Sequence, residues 1–372
     1  MADVDDASTG PAKLRTANGV VVAGVSWWNR KAVAGLLRDI DPAPRMVADI
    51  AGGIDAARRD GRALLAWASK LTPDLERAAA EARIDVVRIE DGFLRSVGLG
   101  AGLVQGAAYA LDARGIYYDA TRPSDLEHML ETAELSDAEM QRGARIAGLI
   151  AAHNLSKYNL AAAPHLLPAT PGRERILVPG QVAADAAIRM TISNSLDLAA
   201  ANINLELLRA VRRRNPDAFI VYKPHPDVAK GLRPGRIEAA DVRALADVAI
   251  ADAGILGLIS QCDRVETLSS LAGFEALIRG KPVTVHGAPF YAGWGLTDDL
   301  TTIPRRSRRR SLAELVYLSL ARYCRYVDPQ TLAPISCEQL IERLAMLKSK
   351  PSHRVAAEVK TFVSRIGRKL GF

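Results

Sequence analysis

The first half of the chain alternates short apolar runs with segments whose apolar residues recur every three to four positions. Short runs are typical of buried strands, and the longer spacing is typical of helices that cover a sheet. Ser124, with Glu127 three residues later, marks the start of one helix, because a serine hydroxyl can cap the free N–H groups of a first turn. Strands are predicted over residues 19–23, 63–66, 86–89 and 115–119, and helices over residues 27–37, 123–132 and 138–154.

A segment rich in Pro, Ala and Gly, residues 165–173, reads as a linker before a second series of strands and helices. Strands are predicted over residues 176–178, 219–223 and 283–285, a helix over residues 196–213, and a mixed helix and strand stretch over residues 242–255. Such alternation is typical of doubly wound α/β domains, whose ligands bind at strand ends.

The predicted fold class is therefore α/β, with two facing Rossmann-like domains and a cleft between them. The last helices are free to cross back to the first domain. The predicted division is a tail over residues 1–17, a first domain over residues 18–170, a second domain over residues 171–345, and a basic amphipathic segment over residues 346–372.

The composition fits a globular enzyme with two domains. Of the 372 residues, 49% are hydrophobic and 24% are charged, which is enough for each domain to bury a core. No apolar run has the length of a membrane span, and residues 1–8 are acidic, unlike a secretory signal, so we expect a cytoplasmic protein. Cys262, Cys324 and Cys337 lie far apart, which fits a reducing compartment and argues against a zinc site or a disulfide framework.

The formal net charge of +7 suggests an anionic partner, and the basic residues are concentrated in the second half. The basic runs lack interleaved aromatics and a recognition motif, which argues against nucleic acid. Within residues 356–372, apolar and basic positions alternate at helical spacing. This pattern predicts either a helix on an anionic inner-membrane surface or a solvated helix whose apolar stripe packs on the protein.

Residues 267–283 form a loop, helix, turn and strand unit with the residue types of a nucleotide-sugar pocket. Ser269 and Ser270 offer hydroxyls to a phosphate at a helix start. Gly273 would allow a backbone to approach that phosphate, and Glu275 offers a carboxylate to ribose hydroxyls. The alternative is an ordinary corner between a helix and a strand with a glycine stop.

A second basic element lies upstream, where an apolar strand ends in Lys223 and is followed by His225 between two prolines. The prolines fix the backbone and prevent the chain from continuing as a helix. Because ligands of open α/β sheets collect at the carboxyl ends of strands, we predict that Lys223, His225 and Pro226 contact the nucleotide. The alternative is an isolated surface histidine.

Seven short motifs occur in one order along the chain. They are Glu-Asp-Gly-Phe from residue 90, Gly-Ile-Tyr-Tyr-Asp from 115, Ser-Lys-Tyr-Asn from 156, Val-Pro-Gly-Gln-Val-Ala-Ala-Asp from 178, Lys-Pro-His-Pro from 223, Gly-Phe-Glu-Ala-Leu-Ile-Arg-Gly-Lys-Pro-Val from 273, and Gly-Ala-Pro-Phe-Tyr-Ala-Gly-Trp-Gly from 287. Over residues 84–329 this order resembles the KpsC-type capsular polysaccharide synthesis proteins.

The resemblance implies a GT-B glycosyltransferase that takes Kdo from CMP-Kdo and forms β-linked Kdo on a lipid-linked or Kdo-terminated acceptor. The sugar of CMP-Kdo is already β, so transfer would retain its configuration. The resemblance implies no cofactor and no metal, and it implies an anionic glycolipid and capsule assembly proteins as partners. Proteins of this type carry two such modules, whereas this chain has the length of one, and its Pro-Gly-Gln motif is more like the second module.

Retention of the anomeric configuration is most simply explained by two displacements, which need two carboxylates, and the motifs contain them. Asp185 would be the nucleophile, and Glu90 would be the general base toward the acceptor hydroxyl. Asp91 is a second candidate for that base or an organiser of the Glu90 loop. The alternative for Asp185 is a helix cap, and for Glu90 and Asp91 a turn that caps the following segment.

The remaining motif residues would hold the charged groups of the substrates. Lys223 and His225 would stabilise the leaving phosphate. Four residues are candidates for binding the sugar carboxylate or the acceptor, namely Arg95, Lys157, Tyr158 and Asn159.

The sequence leaves two other function classes open. A sugar-nucleotide epimerase also uses paired Rossmann-like domains and acidic residues in a cleft, but it acts without an acceptor. A non-catalytic adaptor of a capsule assembly complex would use the basic C-terminus. The paired carboxylates with Lys223 and His225 argue against the adaptor, because an adaptor does not need them.

Overall fold

The computed structural model describes residues 10–15, 17–96, 104–159 and 165–349. Its strands are β1 (Val20–Ala23), β2 (Arg45–Val47), β3 (Ala63–Trp67), β4 (Val86–Asp91), β5 (Ala108–Asp112), β6 (Arg175–Pro179), β7 (Phe219–Lys223), β8 (Val248–Ala249), β9 (Arg264–Thr267), β10 (Val283–Val285), β11 (Asp298–Asp299), β12 (Cys324–Val327) and β13 (Pro334–Ile335). Its α-helices are α1 (Gly10–Arg15), α2 (Arg30–Leu36), α3 (Ile50–Asp60), α4 (Pro73–Glu81), α5 (Asp125–Thr132), α6 (Asp137–Ala152), α7 (Ala186–Arg189), α8 (Ile203–Arg214), α9 (Pro226–Ala229), α10 (Ala239–Leu245), α11 (Ile255–Gln261), α12 (Leu271–Leu277), α13 (Leu312–Val316) and α14 (Cys337–Ser349). Short 3-10 helices cover Trp27–Asn29 and Ala68–Lys70, and a π-helix covers Tyr317–Tyr323.

The first sheet has the strand order β13-β12-β5-β4-β3-β1-β2. Strands β2, β1, β3 and β4 are parallel, whereas β5 is antiparallel to β4, β12 to β5, and β13 to β12. Glu90 lies opposite Ala110 near the carboxyl end of β4. This end is the edge at which open α/β sheets bind ligands.

The second sheet has the strand order β11-β10-β9-β6-β7-β8 and is parallel throughout. Strands β6 and β7 pair in register up to Pro179 opposite Lys223. Because parallel strands end at the same edge, the loops after β6, β7 and β9 come together there. The α/β class predicted from the sequence is confirmed.

Apolar residues cover both faces of the sheets. In β1, Val20 and Val22 belong to one cluster, and Val21 and Ala23 belong to another, as the period of two along a strand requires. A larger cluster joins the two domains and includes side chains from both, such as Phe93 and Phe290. The domains therefore share packed core beside the cleft that they form.

The chain returns to the first domain after residue 311. Strand β12 pairs with β5, and α13 packs on α6, where a Cβ at Gly143 would collide with the Ala313 carbonyl oxygen. The expected crossing of the last helices is therefore observed. The predicted boundary needs correction, since the second domain does not extend to residue 345.

The arginine-rich segment, residues 305–310, binds the two domains to each other. Nε of Arg305 and Nε of Arg306 donate to Glu127 on α5 at 2.7 and 2.9 Å. Nε of Arg310 donates to the Leu130 carbonyl at 2.6 Å. Much of this positive charge is thus paired within the protein, although its clustering in the sequence suggested an anionic partner.

Three sequence-based assignments differ from the structure. Residues 115–119 form a turn, because the Asp112 carboxylate accepts the N–H of Gly115 at 2.7 Å and ends β5 there. The helix predicted from residue 196 begins at Ile203, where the Asn202 side chain caps it. Helix α1 lies within the predicted tail and buries Leu14.

In the residues that the structure describes, no helix is long and apolar enough to cross a membrane. Helix α14 enters the predicted C-terminal segment and ends at Ser349. The amphipathic helix predicted over residues 356–372 lies outside the described residues.

Candidate active site

A cleft of about 1640 Å³ lies between the two domains. The carboxyl end of β4 contributes one wall, and the loops after β6, β7 and β9 contribute the other. Of the residues predicted from the sequence to form the site, all except Gly273 line this cleft. The tertiary structure therefore brings together the candidates from both halves of the chain.

Glu90 near the end of β4 is a buried carboxyl, 8% exposed, in the first-domain wall. Its carboxylate accepts the backbone N–H groups of Ser69 and Asp91 at 3.1 and 3.2 Å, and the Tyr118 hydroxyl at 3.4 Å. Burial, reinforced by the charge of Asp91, raises the pKa of Glu90 from 4.5 to about 7. A carboxyl with this pKa can take up a proton near neutral pH, as a general base must.

Asp91 and Arg95 form a partly buried ion pair beside Glu90. Nε of Arg95 donates to Oδ2 of Asp91 at 2.7 Å, and another guanidinium N–H donates to the Ser96 hydroxyl at 3.1 Å. Arg95 is 1% exposed. The guanidinium is engaged inside the wall and holds Asp91, and the predicted contact of Arg95 with the sugar carboxylate or the acceptor stays a prediction.

Lys157 presents a cation to the cleft. Its backbone N–H donates to Oε1 of Glu275 at 3.0 Å, which fixes the loop against the second domain. Within the described ranges its ammonium makes no hydrogen bond, and it lies 5.5 Å from the centre of the Tyr158 ring. Burial would lower the pKa of Lys157, but neighbouring tyrosines and the carboxylates of Asp91 and Asp185 raise it above its ordinary value.

Asn159 is held by hydrogen bonds to neighbouring loops, and its predicted contact with the sugar carboxylate or the acceptor stays a prediction. Its Oδ1 accepts the Ser156 N–H at 3.0 Å, and its Nδ2 donates to the Ser96 carbonyl at 3.1 Å. Its backbone has a φ of 47°, a conformation that asparagine tolerates better than most residues. The Asn159 amide therefore shapes the loop that carries Lys157.

Asp185 is an exposed carboxylate at the start of α7. Its Oδ1 accepts the Ala187 N–H at 3.0 Å, so it is the helix cap that the sequence left open as an alternative. A carboxylate has acceptor capacity beyond one bond, so capping leaves the other oxygen available. Burial is the main cause of the raised pKa of Tyr118, and the charges of Glu90 and Asp185 add to it. The carboxylates of the two domains thus act on one tyrosine.

His225 follows β7 as a neutral hydrogen-bond donor. Its Nδ1 lies 3.2 Å from the backbone N–H of Asp227, which can only donate, so the ring proton is on Nε2. Burial lowers the pKa of His225 despite the nearby carboxylates of Asp227 and Asp185. Pro226 begins α9 directly after it.

Lys223 at the end of β7 is buried more deeply than the sequence suggested. Its Nζ donates to the Ala251 carbonyl at 3.0 Å. Burial lowers the pKa of Lys223, and the charge of Asp252 opposes this shift. Lys223 therefore reaches the cleft wall with one of its three ammonium donors already engaged.

The loop after β9 is held by its own hydroxyls and by Gln181. The Ser269 N–H donates to Oε1 of Gln181 at 3.0 Å, and Ser270 caps α12 by accepting the Ala272 N–H at 3.2 Å. The Gly273 N–H donates to the Ser270 carbonyl at 3.1 Å, and a side chain at Gly273 would collide with Tyr291. The prediction for Gly273 is thus corrected, since the glycine admits the Tyr291 ring.

Glu275 is buried on the second-domain wall of the cleft and is 8% exposed. Its Oε1 accepts the Lys157 N–H across the domain boundary. Burial raises the pKa of Glu275, although that hydrogen bond opposes the shift. The predicted contact with ribose stays a prediction, and the observed contact joins the two walls.

Several cleft residues were not among the sequence candidates. Tyr117 and Tyr118 lie in the Gly-Ile-Tyr-Tyr-Asp motif. The signal that could have identified them is a pair of adjacent aromatics between two residue types that favour turns, Gly and Asp. Trp28 lines the cleft and leaves a buried indole N–H without a partner in the described part of the chain. Within the same ranges, no group of three or more His, Cys, Asp or Glu side chains is arranged to hold a metal.

Two Rossmann-like domains that face each other across a cleft lined by strand ends define a GT-B-like fold. The family model described as capsule polysaccharide biosynthesis protein matches residues 62–169 and 161–327. The chain therefore belongs to the family of capsule polysaccharide biosynthesis proteins, and the resemblance to KpsC-type proteins is confirmed.

Curated relatives come from two bacteria. The chain is 40% identical over 309 residues to the capsule polysaccharide modification protein LipA of Neisseria meningitidis serogroup B, an alignment that covers 83% of this chain and 43% of LipA. It is 38% identical over 303 residues to the lipopolysaccharide-processing protein LpsZ of Rhizobium meliloti, covering 81% of this chain and 68% of LpsZ. The chain thus spans less than half the length of LipA.

Two solved structures of Thermosulfurimonas dismutans KpsC are similar to the chain, each at 34% identity. The β-Kdo 2,7 transferase has a TM-score of 0.72, with 89% of this chain and 100% of that chain covered. The β-Kdo 2,4 transferase has a TM-score of 0.73, with 88% of this chain and 98% of that chain covered. The whole length of one such transferase therefore corresponds to most of this chain.

Proposed function

We propose that this protein is a retaining glycosyltransferase that transfers Kdo from CMP-Kdo to a Kdo-terminated or lipid-linked acceptor in capsular polysaccharide biosynthesis. The structural similarity to two proteins named as β-Kdo transferases supports the sugar and the reaction. The observation that carries the proposal is that Glu90 of the first domain and Asp185 of the second domain line the same cleft, which provides one carboxylate from each domain.

The donor CMP-Kdo carries a phosphate and a sugar carboxylate, and the cleft has donors for both. The neutral His225 can donate its Nε2–H to the phosphate, with Lys223 and the Ser269 and Ser270 hydroxyls nearby in the same wall. The Lys157 ammonium is suited to the sugar carboxylate, because it is charged and has no internal hydrogen-bond partner in the described part of the chain.

In the first step a carboxylate oxygen of Asp185 attacks the anomeric carbon. The bond from that carbon to the phosphate oxygen breaks, and the electron pair leaves with CMP. The product is a Kdo ester on Asp185 with inverted configuration. The hydrogen bond from the Ala187 N–H to Oδ1 orients the carboxylate for this attack.

In the second step the acceptor hydroxyl attacks the same carbon. Its proton passes to the carboxylate of Glu90, and Asp185 leaves as a carboxylate. Two inversions give net retention. A pKa of Glu90 near 7 suits this role, because the base is largely ionised above neutral pH and still basic enough to take the proton.

The test combines intact mass spectrometry with product analysis. With CMP-Kdo alone, the wild-type protein should gain the mass of one Kdo residue. Asp185→Ala should gain nothing and transfer nothing, whereas Glu90→Gln should form the adduct and pass it on slowly, about 10²–10⁴-fold below wild type. Product NMR on a Kdo-terminated acceptor then assigns the linkage.

Asp197→Ala is the matched control, since Asp197 is exposed and accepts the Ala199 N–H at 2.9 Å in the same local geometry but outside the cleft. It should keep full activity. An adduct on a residue other than Asp185, or full transfer by Asp185→Ala, would contradict the mechanism. If the donor sugar changed in the absence of acceptor, the protein would be an epimerase. If the protein did not bind CMP-Kdo, the adaptor function would be favoured.

A further inference from the structure

Asp227 is a buried carboxylate that the reaction steps do not use. It directly follows Pro226, is 7% exposed, and lines the cleft. Within the described ranges its side chain makes no hydrogen bond, and its Oδ1 is fully buried without a partner.

Hydrogen bonds hold both the N–H and the carbonyl of Asp227, so the lack of hydrogen bonds to its carboxylate is not the result of a poorly fixed loop. The Asp227 N–H donates to Nδ1 of His225 at 3.2 Å, and its carbonyl accepts the Leu232 N–H at 2.8 Å. The neighbouring ring of His225 is neutral, as its Nδ1 acts as an acceptor. No cation forms a salt bridge with Asp227 among the described residues.

Burying a carboxylate without hydrogen bonds is unfavourable, and native proteins rarely leave such a group unsatisfied. The Oδ1 atom is closed to solvent, whereas Oδ2 also makes no hydrogen bond within the described ranges and is the oxygen that a ligand in the cleft can reach. A carboxylate that bears this cost in the free protein is explained when a ligand supplies a donor to Oδ2. The ligand group must be a hydrogen-bond donor without negative charge, because a phosphate or a carboxylate would be repelled, and in a nucleotide such groups are hydroxyls and amino groups.

We propose that Asp227 accepts a hydrogen bond from a hydroxyl or amino group of the bound donor nucleotide and thereby selects the nucleotide. This inference rests on the proposed function, which places the phosphate at His225 two residues away. A cytidine monophosphate offers two sources of such a group, the ribose hydroxyls, which are nearer to the phosphate, and the amino group at the far edge of the base. A carboxylate would reject uracil, which presents a carbonyl oxygen in place of that amino group.

The experiment compares Asp227→Ala and the isosteric Asp227→Asn with wild type and with Asp197→Asn, whose carboxylate is outside the cleft. Calorimetry measures the Kd values of CMP, UMP, 2′-deoxy-CMP and 3′-deoxy-CMP, and thermal unfolding is followed without ligand. Removing the acceptor should weaken CMP binding about tenfold or more in Asp227→Ala. Unfolding temperatures should stay equal or rise, because no internal bond is lost and a buried charge is removed.

The nucleotide ratios identify the donor group. If the base amino group is the partner, wild type should prefer CMP to UMP and the Asp227 variants should lose that preference. If a ribose hydroxyl is the partner, the preference over one deoxynucleotide should disappear in the same way.

Unchanged CMP affinity, unchanged nucleotide ratios, or a lower unfolding temperature with wild-type binding would overturn the inference and make Asp227 structural. Failure of the wild-type protein to bind CMP would instead overturn the proposed function.

Discussion

Replacing Glu90 with glutamine should stabilise the free protein while it slows transfer. Burial and Asp91 raise the pKa of Glu90 from 4.5 to about 7, which corresponds to about 3 kcal/mol of unfavourable free energy when the group is ionised in the folded state. Glutamine removes the charge but has one oxygen to accept the N–H groups of Ser69 and Asp91. The lost acceptor offsets about 1 kcal/mol, so we expect a net gain of about 2 kcal/mol above pH 7.

The gain should depend on pH with a definite sign. Because the folded pKa of Glu90 lies above the unfolded value, the cost is absent below pH 4.5, grows as the pH rises, and is complete above pH 7. At pH 5 the cost is below about 1 kcal/mol, so Glu90→Gln should be close to neutral there. At pH 8 the stabilisation should be fully present.

Urea unfolding of wild type and Glu90→Gln at pH 5 and pH 8 measures this difference. Glu314→Gln is a control of opposite sign, because hydrogen bonds from Ser311 and Arg310 outweigh burial and lower the pKa of Glu314. The transfer rate of wild type should also rise with pH through about 7, and the glutamine variant should lack that step. Equal effects of Glu90→Gln at both pH values, or destabilisation at pH 8, would refute the reasoning.

Two further variants test the connection between the domains and the wall of the cleft. Glu127→Ala should destabilise the protein by about 3–5 kcal/mol in urea unfolding, because it leaves the buried Arg306 guanidinium without its carboxylate, and a loss below about 1 kcal/mol would contradict this account. Gly273→Ala should cost about 1–3 kcal/mol of stability by displacing Tyr291. If Gly273→Ala instead kept wild-type stability but lost CMP affinity, a direct contact between Gly273 and the phosphate would be supported.

The α/β class and many of the elements could be predicted because they depend on near neighbours in the chain. Strand β7 has a continuous apolar run, and the prolines on both sides of His225 prevent a helix from continuing through it. Ser124 caps α5 by accepting the Glu127 N–H at 3.0 Å, as the spacing of the two residues indicated. The ordered motifs also indicated which residues would line the cleft.

Contacts between distant residues decided the rest. Strand β12 joins β5 across more than two hundred positions, and nothing in the local pattern of either strand specifies that pairing. Gly273 makes room for Tyr291, and the Lys157 N–H donates to Glu275, because the folded chain brings these partners together. Hydrophobic periodicity is a property of neighbouring residues, so it can be read from the chain. The pKa of Glu90 and the unsatisfied carboxylate of Asp227 arise from burial, and burial exists only once the whole chain has folded.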